Sequence, residues 1–147
     1  MAIKWIKHGD IFESSCPILC NPVNCVGIMG AGLAKQFRDK YGDTIYRVYC
    51  KHGLLKPGKT MVVATDNDEK SILLFPTKDH WKDPSKIEYI ESGLQDVAIN
   101  IQRGVIDGSI AFPKIGCGLG GLDWEEDVKP LFHKYLGNAP IDIEVYE

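Results

Sequence analysis

The chain has 147 residues, of which 44% are hydrophobic and 25% are charged. This composition describes one globular domain, residues 1–147, with enough apolar side chains for its own core. No stretch approaches the roughly 18 consecutive apolar residues of a membrane span, and the amino terminus lacks an apolar signal segment, so we expect a cytoplasmic protein without a membrane partner. The net charge of −3 argues against a continuous basic groove for nucleic acid, although a local contact with a nucleic-acid end stays open.

The cysteines and histidines lack the spacing of a disulfide framework or a metal site. Cysteine occurs five times, an odd number, and no paired Cys-x-x-Cys zinc motif is present. We therefore expect reduced thiols, no metal and no cofactor. Cys25 and Cys117 stand in suspected ligand loops, but cysteines more often pack as small apolar groups, and neither is assigned a catalytic role.

Hydrophobic patterns predict alternating strands and helices in the first half of the chain. Apolar runs and strict alternation indicate strands, whereas apolar residues at steps of three and four indicate helices. In chain order the predicted elements are a strand at 3–7, a buried strand at 17–20, helices at 33–41 and 44–50, and strands at 60–64 and 71–75 joined by a turn at 66–69.

The second half continues the alternation with a long helix from residue 85 to 101, a strand at 109–112, a helix at 124–135 and a final strand at 141–146. Ser85 and Glu88 fit a capping box at the start of the long helix. Pro130 interrupts the last helical pattern. Either the helix is kinked there, or it begins near Asp127 so that the proline falls in its first turn.

Two glycine-rich stretches, at 27–32 and 116–121, each follow a predicted strand and precede a predicted helix. Glycine lets successive backbone N–H groups point at an anion, and a helix N-terminus adds a partial positive charge. The alternation predicts a three-layer α/β/α fold with a mixed, largely parallel sheet, and such folds bind ligands beyond the carboxyl ends of their strands. Both glycine stretches and the segment containing Lys78 are therefore expected to meet at one edge of the sheet, where they would hold a diphosphate.

Four segments of the chain resemble the macrodomain family of ADP-ribose binders. They are Gly9-Asp10-Ile11, the stretch from Asn21-Pro22-Val23-Asn24 to residue 34, the stretch at 113–124, and Phe75-Pro76-Thr77-Lys78-Asp79-His80-Trp81 with the following Pro84-Ser85-Lys86. The last segment is similar to the branch that contains the DarG antitoxins and the terminal ADP-ribose glycohydrolases. The resemblance covers nearly the whole chain and implies the macrodomain fold.

The resemblance also implies a set of ligand contacts. Asp10 would accept a hydrogen bond from the adenine amine with Ile11 packing nearby, and Asn24 would hold the distal ribose. Taken alone, Asp10 is equally a turn carboxylate and Asn24 a loop-capping amide. Tyr146 is predicted as an aromatic partner of the base. The diphosphate would lie among backbone N–H groups of Gly30, Ala31, Gly32, Leu33, Gly116, Cys117, Gly118, Leu119, Gly120 and Gly121.

Lys78 is the residue to which the resemblance assigns the chemistry. Its amine would attack the anomeric carbon of an attached ADP-ribose and form a covalent adduct that water later resolves. Lysine has a reference pKa of about 10.4, so nucleophilic work requires the neutral amine to be favoured by desolvation or nearby cations. Two plainer interpretations stay open, namely a solvated loop lysine and an electrostatic clamp that only binds the substrate.

One position departs from the pattern of some glycohydrolases in this branch, which have an aspartate directly after the Gly-Cys-Gly-Leu segment. This chain has Gly120 there, and Asp123, three residues later, is interpreted as a helix cap before Trp124. A mechanism that relies on the lysine alone therefore fits better, and it favours modified DNA over protein-linked glutamate esters as the substrate.

Together these features predict a metal-independent ADP-ribosyl hydrolase acting on ADP-ribosylated DNA first and on esters of acidic side chains next. Two alternatives stay open: a phosphatase acting on ADP-ribose 1″-phosphate, and a reader that binds ADP-ribose without catalysis. We expect a monomer. The antitoxin resemblance raises the question of a toxin partner, but the length leaves no room for the additional domain that some antitoxin relatives carry.

Overall fold

The computed structural model describes residues 3–65 and 69–147. Within these two ranges, six strands form one sheet: β1 (Ile3–Ile6), β2 (Ile18–Val23), β3 (Met61–Ala64), β4 (Ser71–Pro76), β5 (Ile110–Phe112) and β6 (Ile143–Tyr146). The α-helices of the described residues are α1 (Gly32–Tyr41), α2 (Thr44–Lys51), α3 (Ile87–Gln102) and α4 (Lys129–Leu136). Short 3₁₀ turns occur at Ile11–Glu13 and Gly118–Gly120. Within the described ranges, no helix combines the length and the apolar character needed to cross a membrane.

The strands lie in the order β1-β6-β5-β2-β4-β3. All neighbouring strands are parallel except β3, which pairs antiparallel with β4 at one edge. The predicted mixed, largely parallel sheet is therefore confirmed. Strand β2 lies between β5 and β4, so the carboxyl ends of these three strands are neighbours.

Helices cover both faces of the sheet and give two separate apolar layers. On one face, α3 and α4 pack through Ile90, Leu94 and Phe132 against strand residues that include Phe75 and Phe112, all of them fully buried. On the other face, a second cluster joins α1 and α2 to the alternate residues of the same strands. This alternation is what a sheet buried on both sides requires, and it confirms the predicted three-layer arrangement.

Strand β2 ends three residues later than predicted. The predicted strand covers residues 17–20 and leads into a loop at Asn21, and proline is rare in central strands. The structure continues β2 to Val23, with Pro22 opposite Phe75 of β4. Pairing of β2 with β5 extends only over Ile18 and Leu19. Pro22 therefore lies beyond the last residue pair with β5, where a missing N–H interrupts no ladder.

The predicted capping box at the start of α3 is wrong. The helix begins at Ile87 with Lys86 in the N-cap position, and its N-cap makes no side-chain hydrogen bond. Ser85 instead donates its backbone N–H to the carbonyl oxygen of Gly120 over 2.9 Å. Its buried hydroxyl has no hydrogen-bond partner among the residues that the structure describes. Ser85 thus contacts the second glycine stretch and does not cap the helix.

The last helical segment begins with a wide turn of π type at Trp124–Val128, and α4 follows from Lys129. Pro130 lies in the first turn of α4, as the second of the two interpretations predicted, where its missing N–H costs little. The remaining element ends lie within two residues of the predicted ones. Of the turn predicted at 66–69, residues 66–68 lie outside the described part of the chain.

Candidate functional site

Three loops meet at the carboxyl edge of the sheet, because β2, β4 and β5 are neighbours. They are the loops that follow Val23, Pro76 and Phe112. Two backbone hydrogen bonds extend the pairing of β2 and β4 into the loops: Thr77 N–H donates to Val23 O over 2.9 Å, and Cys25 N–H donates to Asp79 O over 3.0 Å. The predicted meeting of both glycine stretches with the Lys78 segment is confirmed.

Asn24 holds the first glycine stretch in shape. Its Nδ2 donates to Ile28 O over 2.7 Å, and its Oδ1 accepts from the backbone N–H of Val26 over 3.1 Å. The hydroxyl of Tyr46 on α2 lies 2.7 Å from the same Oδ1. Asn24 is only 8% exposed. The amide is thus a loop-capping group in this structure, and a contact with a ribose stays a prediction.

The N-terminus of α1 presents free backbone donors to the edge of the sheet. Its N-cap, Ala31, has an extended backbone and makes no side-chain capping hydrogen bond. Gly32 has a φ of +58°, a conformation that residues with a Cβ rarely adopt. The first N–H groups of a helix lack intrahelical acceptors. Without a capping side chain they are available to an anion, which the helix dipole also favours.

The second glycine stretch forms a 3₁₀ turn with left-handed residues on both sides. Gly116, Gly118 and Gly121 have φ values of +77°, +65° and +85°. Such reversals of backbone handedness direct consecutive N–H groups to one side, which is the geometry of an anion-binding nest. A side chain at Gly116 would also collide with Ile90 of α3, at 2.9 Å from its Cδ1.

Gly120 is required by packing. Its own φ is not in the left-handed region. A Cβ at Gly120 would lie 2.5 Å from the Ser85 hydroxyl oxygen and 3.1 Å from the Ser85 Cβ. An aspartate at this position, as in some glycohydrolases of this branch, would therefore require the Ser85 side chain to rotate or shift.

Lys78 lies against both glycine stretches through Leu119. Its Nζ donates a hydrogen bond to the carbonyl oxygen of Leu119 over 3.2 Å. The Leu119 side chain extends over the start of α1, where a Cβ on Gly32 would be 3.2 Å from the Leu119 Cδ1. Leu119 is nevertheless 72% exposed. The amine predicted to carry the chemistry thus contacts the second glycine stretch, at a residue whose side chain also approaches the first stretch.

Asp10, Ile11 and Tyr146 lie together at the carboxyl ends of β1 and β6. The Asp10 Oδ1 accepts from Phe12 N–H over 2.9 Å and caps the short 3₁₀ turn, which leaves Oδ2 without a role in the cap. Ile11 is buried in the core on the α1 and α2 face. The ring of Tyr146 packs so closely on Gly9 that a Cβ there would lie 3.0 Å from it. Their contacts with an adenine stay predictions.

The two cysteines in the loops are poor nucleophiles in this environment. Burial, with smaller contributions from Asp79 and Cys50, raises the pKa of Cys25 to about 12. Burial likewise raises the pKa of Cys117 to about 11. Both thiols are therefore protonated near neutral pH, and the thiolate is the reactive form of cysteine.

Within residues 3–65 and 69–147, no group of three histidine, cysteine, aspartate or glutamate side chains is arranged to hold a metal ion.

The sequence analysis missed two residues that shape the site, Tyr46 and Ser85. Tyr46 lies in a helical pattern typical of ordinary core packing, and nothing in the sequence connects it with Asn24. Ser85 carried the signal of a helix cap, which concealed its contact with Gly120.

The Macro domain family model matches residues 20–130. This match covers both glycine stretches, Asn24 and Lys78, and together with the six-stranded fold it assigns the class of protein. The chain belongs to the macrodomain family.

Within the family the chain is similar to DarG macrodomains. It is 41% identical, over 142 residues, to the DNA ADP-ribosyl glycohydrolase of Mycobacterium tuberculosis, covering 94% of this chain and 40% of that protein. The solved macrodomain of Mycobacterium tuberculosis DarG superposes with a TM-score of 0.87 at 40% identity, covering 98% of this chain and 96% of that one.

A second structural match carries a ligand. The structure of Thermosipho africanus DarTG in complex with ADP-ribose superposes with a TM-score of 0.88 at 37% identity, covering 99% of this chain and 41% of that one. The present chain thus spans about 40% of the length of the first curated relatives it matches.

Proposed function

We propose that this chain binds ADP-ribose at the carboxyl edge of its sheet and releases it from ADP-ribosylated DNA by hydrolysis. The observation that carries the proposal is the contact of the Lys78 amine with Leu119 O, at 3.2 Å, in the second glycine stretch. The names of the similar proteins, a DNA ADP-ribosyl glycohydrolase and a DarTG with ADP-ribose bound, support the same activity.

In the proposed complex the diphosphate lies between the N-terminus of α1 and the turn at Gly118–Gly120. Backbone donors and the helix dipole provide the positive field there, so a lysine is not needed to hold the phosphates. The free Oδ2 of Asp10 accepts from the adenine amine, and Tyr146 contacts the base. Asn24 reaches the distal ribose after giving up part of its bonding within the loop.

In the proposed reaction the neutral amine of Lys78 acts as the nucleophile. Its lone pair forms a bond to the anomeric carbon, and the bond from that carbon to the DNA base breaks. The electron pair leaves with the base, which takes up a proton. Water then adds to the anomeric carbon, the carbon–nitrogen bond breaks, and free ADP-ribose and the original amine result. The carbonyl of Leu119 orients the amine through the hydrogen bond that it accepts.

Packing at Gly120 supports DNA over protein esters as the substrate. The chain has a glycine at this position, and a side chain there would displace the Ser85 hydroxyl. An additional general base is therefore missing from the position that some glycohydrolases of this branch use, and the lysine works alone. An enzyme that attaches ADP-ribose to DNA must supply this substrate, so a transferase toxin as functional counterpart belongs to the proposal.

The test is a panel of substrates offered to the wild-type protein: ADP-ribosylated DNA, an ADP-ribosylated peptide ester and ADP-ribose 1″-phosphate. The proposal predicts release of ADP-ribose from DNA at the highest kcat/KM. Release of inorganic phosphate from the 1″-phosphate in preference would select the phosphatase. Tight binding of ADP-ribose, measured by calorimetry, without turnover of any conjugate would select the reader.

Asp10 is expected to discriminate adenine from hypoxanthine. The wild-type protein should bind ADP-ribose about tenfold more tightly than its hypoxanthine analogue, because a hydrogen bond to a charged acceptor contributes about 1.5–3 kcal/mol. Asp10→Asn keeps an oxygen for the Phe12 cap but turns an N–H toward the amine, so the preference should disappear. Calorimetry with both ligands checks this. If the wild-type protein bound ADP-ribose and its hypoxanthine analogue with equal affinity, the proposed contact of Asp10 with the adenine would be wrong.

Asp123 is expected to stabilise the fold without taking part in the chemistry. Its Oδ1 accepts from Glu126 N–H over 2.8 Å, and its own N–H donates to Asp127 over 3.0 Å. Asp123→Ala should lower the free energy of unfolding by about 1 kcal/mol through loss of the cap, and Asp123→Asn should retain it. Urea unfolding and turnover of modified DNA measure the two effects. A large loss of turnover in both variants would make Asp123 a general base.

A further inference from the structure

Trp81 is a large aromatic side chain that lies outside the two apolar clusters of the core. It is 47% exposed. The other two tryptophans, Trp5 and Trp124, pack against the apolar cluster on the α3 and α4 face. Trp81 lies at the corner of a turn closed by a hydrogen bond of 3.0 Å from Asp83 N–H to His80 O. The exposed part of the Trp81 side chain is therefore accessible to a ligand.

The neighbours of Trp81 in sequence contact its ring and place a cation beside it. The His80 ring lies 5.7 Å from the Trp81 ring, with an angle of 31° between the planes. His80 is itself fixed, because its Nδ1 accepts from the backbone N–H of Lys82 over 3.1 Å. The Lys82 ammonium lies 5.3 Å from the centre of the Trp81 ring. The three side chains form a small unit with two aromatic rings and a cation.

This unit lies beside the proposed reaction centre. Trp81 follows Lys78 by three positions, so their Cα atoms are at most about 11 Å apart. At about 3.4 Å for each stacked nucleotide of a strand, this backbone separation corresponds to about three nucleotides. The hydrogen bond from Cys25 N–H to Asp79 O, 3.0 Å long, also connects the segment to the loop that leads into the first glycine stretch.

We propose that His80, Trp81 and Lys82 form a stacking site for an unmodified nucleobase that neighbours the ADP-ribosylated base on a single DNA strand. The inference rests on the proposed function and names the part of the substrate outside the ADP-ribose cleft. Aromatic rings bind any base through its π face. A base within a duplex is already stacked on its neighbours, so the occupant is single-stranded. Lys82 faces the phosphate beside that base.

The small net charge of the segment indicates that stacking, and not ion pairing with phosphates, contributes most of the binding free energy of the strand. Asp79 and Asp83 offset two of the three lysines of this loop, which are Lys78, Lys82 and Lys86, and the whole chain carries a net charge of −3. A strand that depended on many phosphate contacts would find too few cations here. We therefore expect weak salt dependence of the oligonucleotide preference.

The experiment compares two substrates that differ only in their neighbours: a short single-stranded oligonucleotide with one ADP-ribosylated base, and the same modified nucleotide released by nuclease digestion. Trp81→Ala should lower kcat/KM for the oligonucleotide about tenfold, within the range for loss of one stacked base. It should leave kcat/KM for the mononucleotide unchanged, and Trp81→Phe should retain most of the preference. Val105→Ala, at an exposed residue between α3 and β5, is the matched control and should change neither value.

Equal losses on both substrates, or no loss on either, would overturn the stacking site. An equal loss on an ADP-ribosylated peptide would do the same, because it would show a role unrelated to a nucleobase. Binding distinguishes this failure from failure of the proposed function. In the Lys78→Ala background, affinity for the oligonucleotide should still exceed that for the mononucleotide, and Trp81→Ala should abolish the difference. If the wild-type protein shows no turnover but this difference in affinity is present, the proposed hydrolase activity is wrong and the proposed stacking site is supported.

Discussion

Lys78→Ala is expected to lower the rate of ADP-ribose release from modified DNA by more than about 100-fold, because the proposed reaction loses its nucleophile. Binding of free ADP-ribose should change little, since backbone donors of the two glycine stretches hold the diphosphate. The side chain is partly exposed and makes one hydrogen bond, to Leu119 O, so the free energy of unfolding should also change little. Single-turnover kinetics, calorimetry and urea unfolding measure the three quantities.

Lys78→Arg is the matched control, because it separates chemistry from electrostatics. Arginine keeps the positive charge and the donors, but its guanidinium stays protonated and does not act as a nucleophile. The proposal predicts that Lys78→Arg is as inactive as Lys78→Ala. If Lys78→Arg restored turnover, Lys78 would instead be an electrostatic clamp.

Gly93→Ala is expected to lower the free energy of unfolding by about 1–3 kcal/mol, although alanine is the better helix former by about 1 kcal/mol. Gly93 lies in α3 over the ring of Phe75, where a Cβ would overlap the ring and approach its Cε1 to 2.7 Å. Phe75 is fully buried between β4 and α3, so its ring has no free space to enter. Overpacking should therefore outweigh helix propensity, as urea unfolding will measure.

A double-mutant cycle with Phe75→Leu tests the cause of this loss. Leucine is smaller than phenylalanine, so the cost of Gly93→Ala should be smaller in the Phe75→Leu background than in the wild type. Ser92→Ala, on the exposed face of the same helix, is the control and should be neutral or slightly stabilising. A stabilising Gly93→Ala, or additive effects in the cycle, would contradict the packing explanation.

Much of the fold could be predicted because local patterns and the global fold agree. Strands that alternate with amphipathic helices specify a layered α/β domain with few alternatives. The repeat of Ile87, Ile90, Leu94, Val97 and Ile101 predicts the buried face of α3, and four of these five residues are buried. The sequence does not indicate that Gly93 belongs to the same face. A glycine has no side chain to enter the hydrophobic pattern, and only the position of Phe75 shows why it is needed.

The sequence was sufficient to predict which chain segments form the site, because loops that follow neighbouring parallel strands meet at one edge of the sheet. The side-chain contacts within it could not. Tyr46 reaches Asn24 from a helix 22 residues away. Ser85 was predicted as a cap from local spacing, whereas its close contact with Gly120 depends on how two loops pack. Contacts between segments distant in sequence leave no periodic signal.

The central claim is a covalent bond between Lys78 and the anomeric carbon during turnover. The most direct measurement mixes the wild-type protein with ADP-ribosylated DNA in the presence of cyanoborohydride, which reduces the imine form of the adduct, and maps the modified peptide by mass spectrometry. The proposal predicts ADP-ribose on Lys78, at a level far above that of the urea-unfolded protein incubated with free ADP-ribose. Complete turnover with no adduct on Lys78 above that control would contradict it.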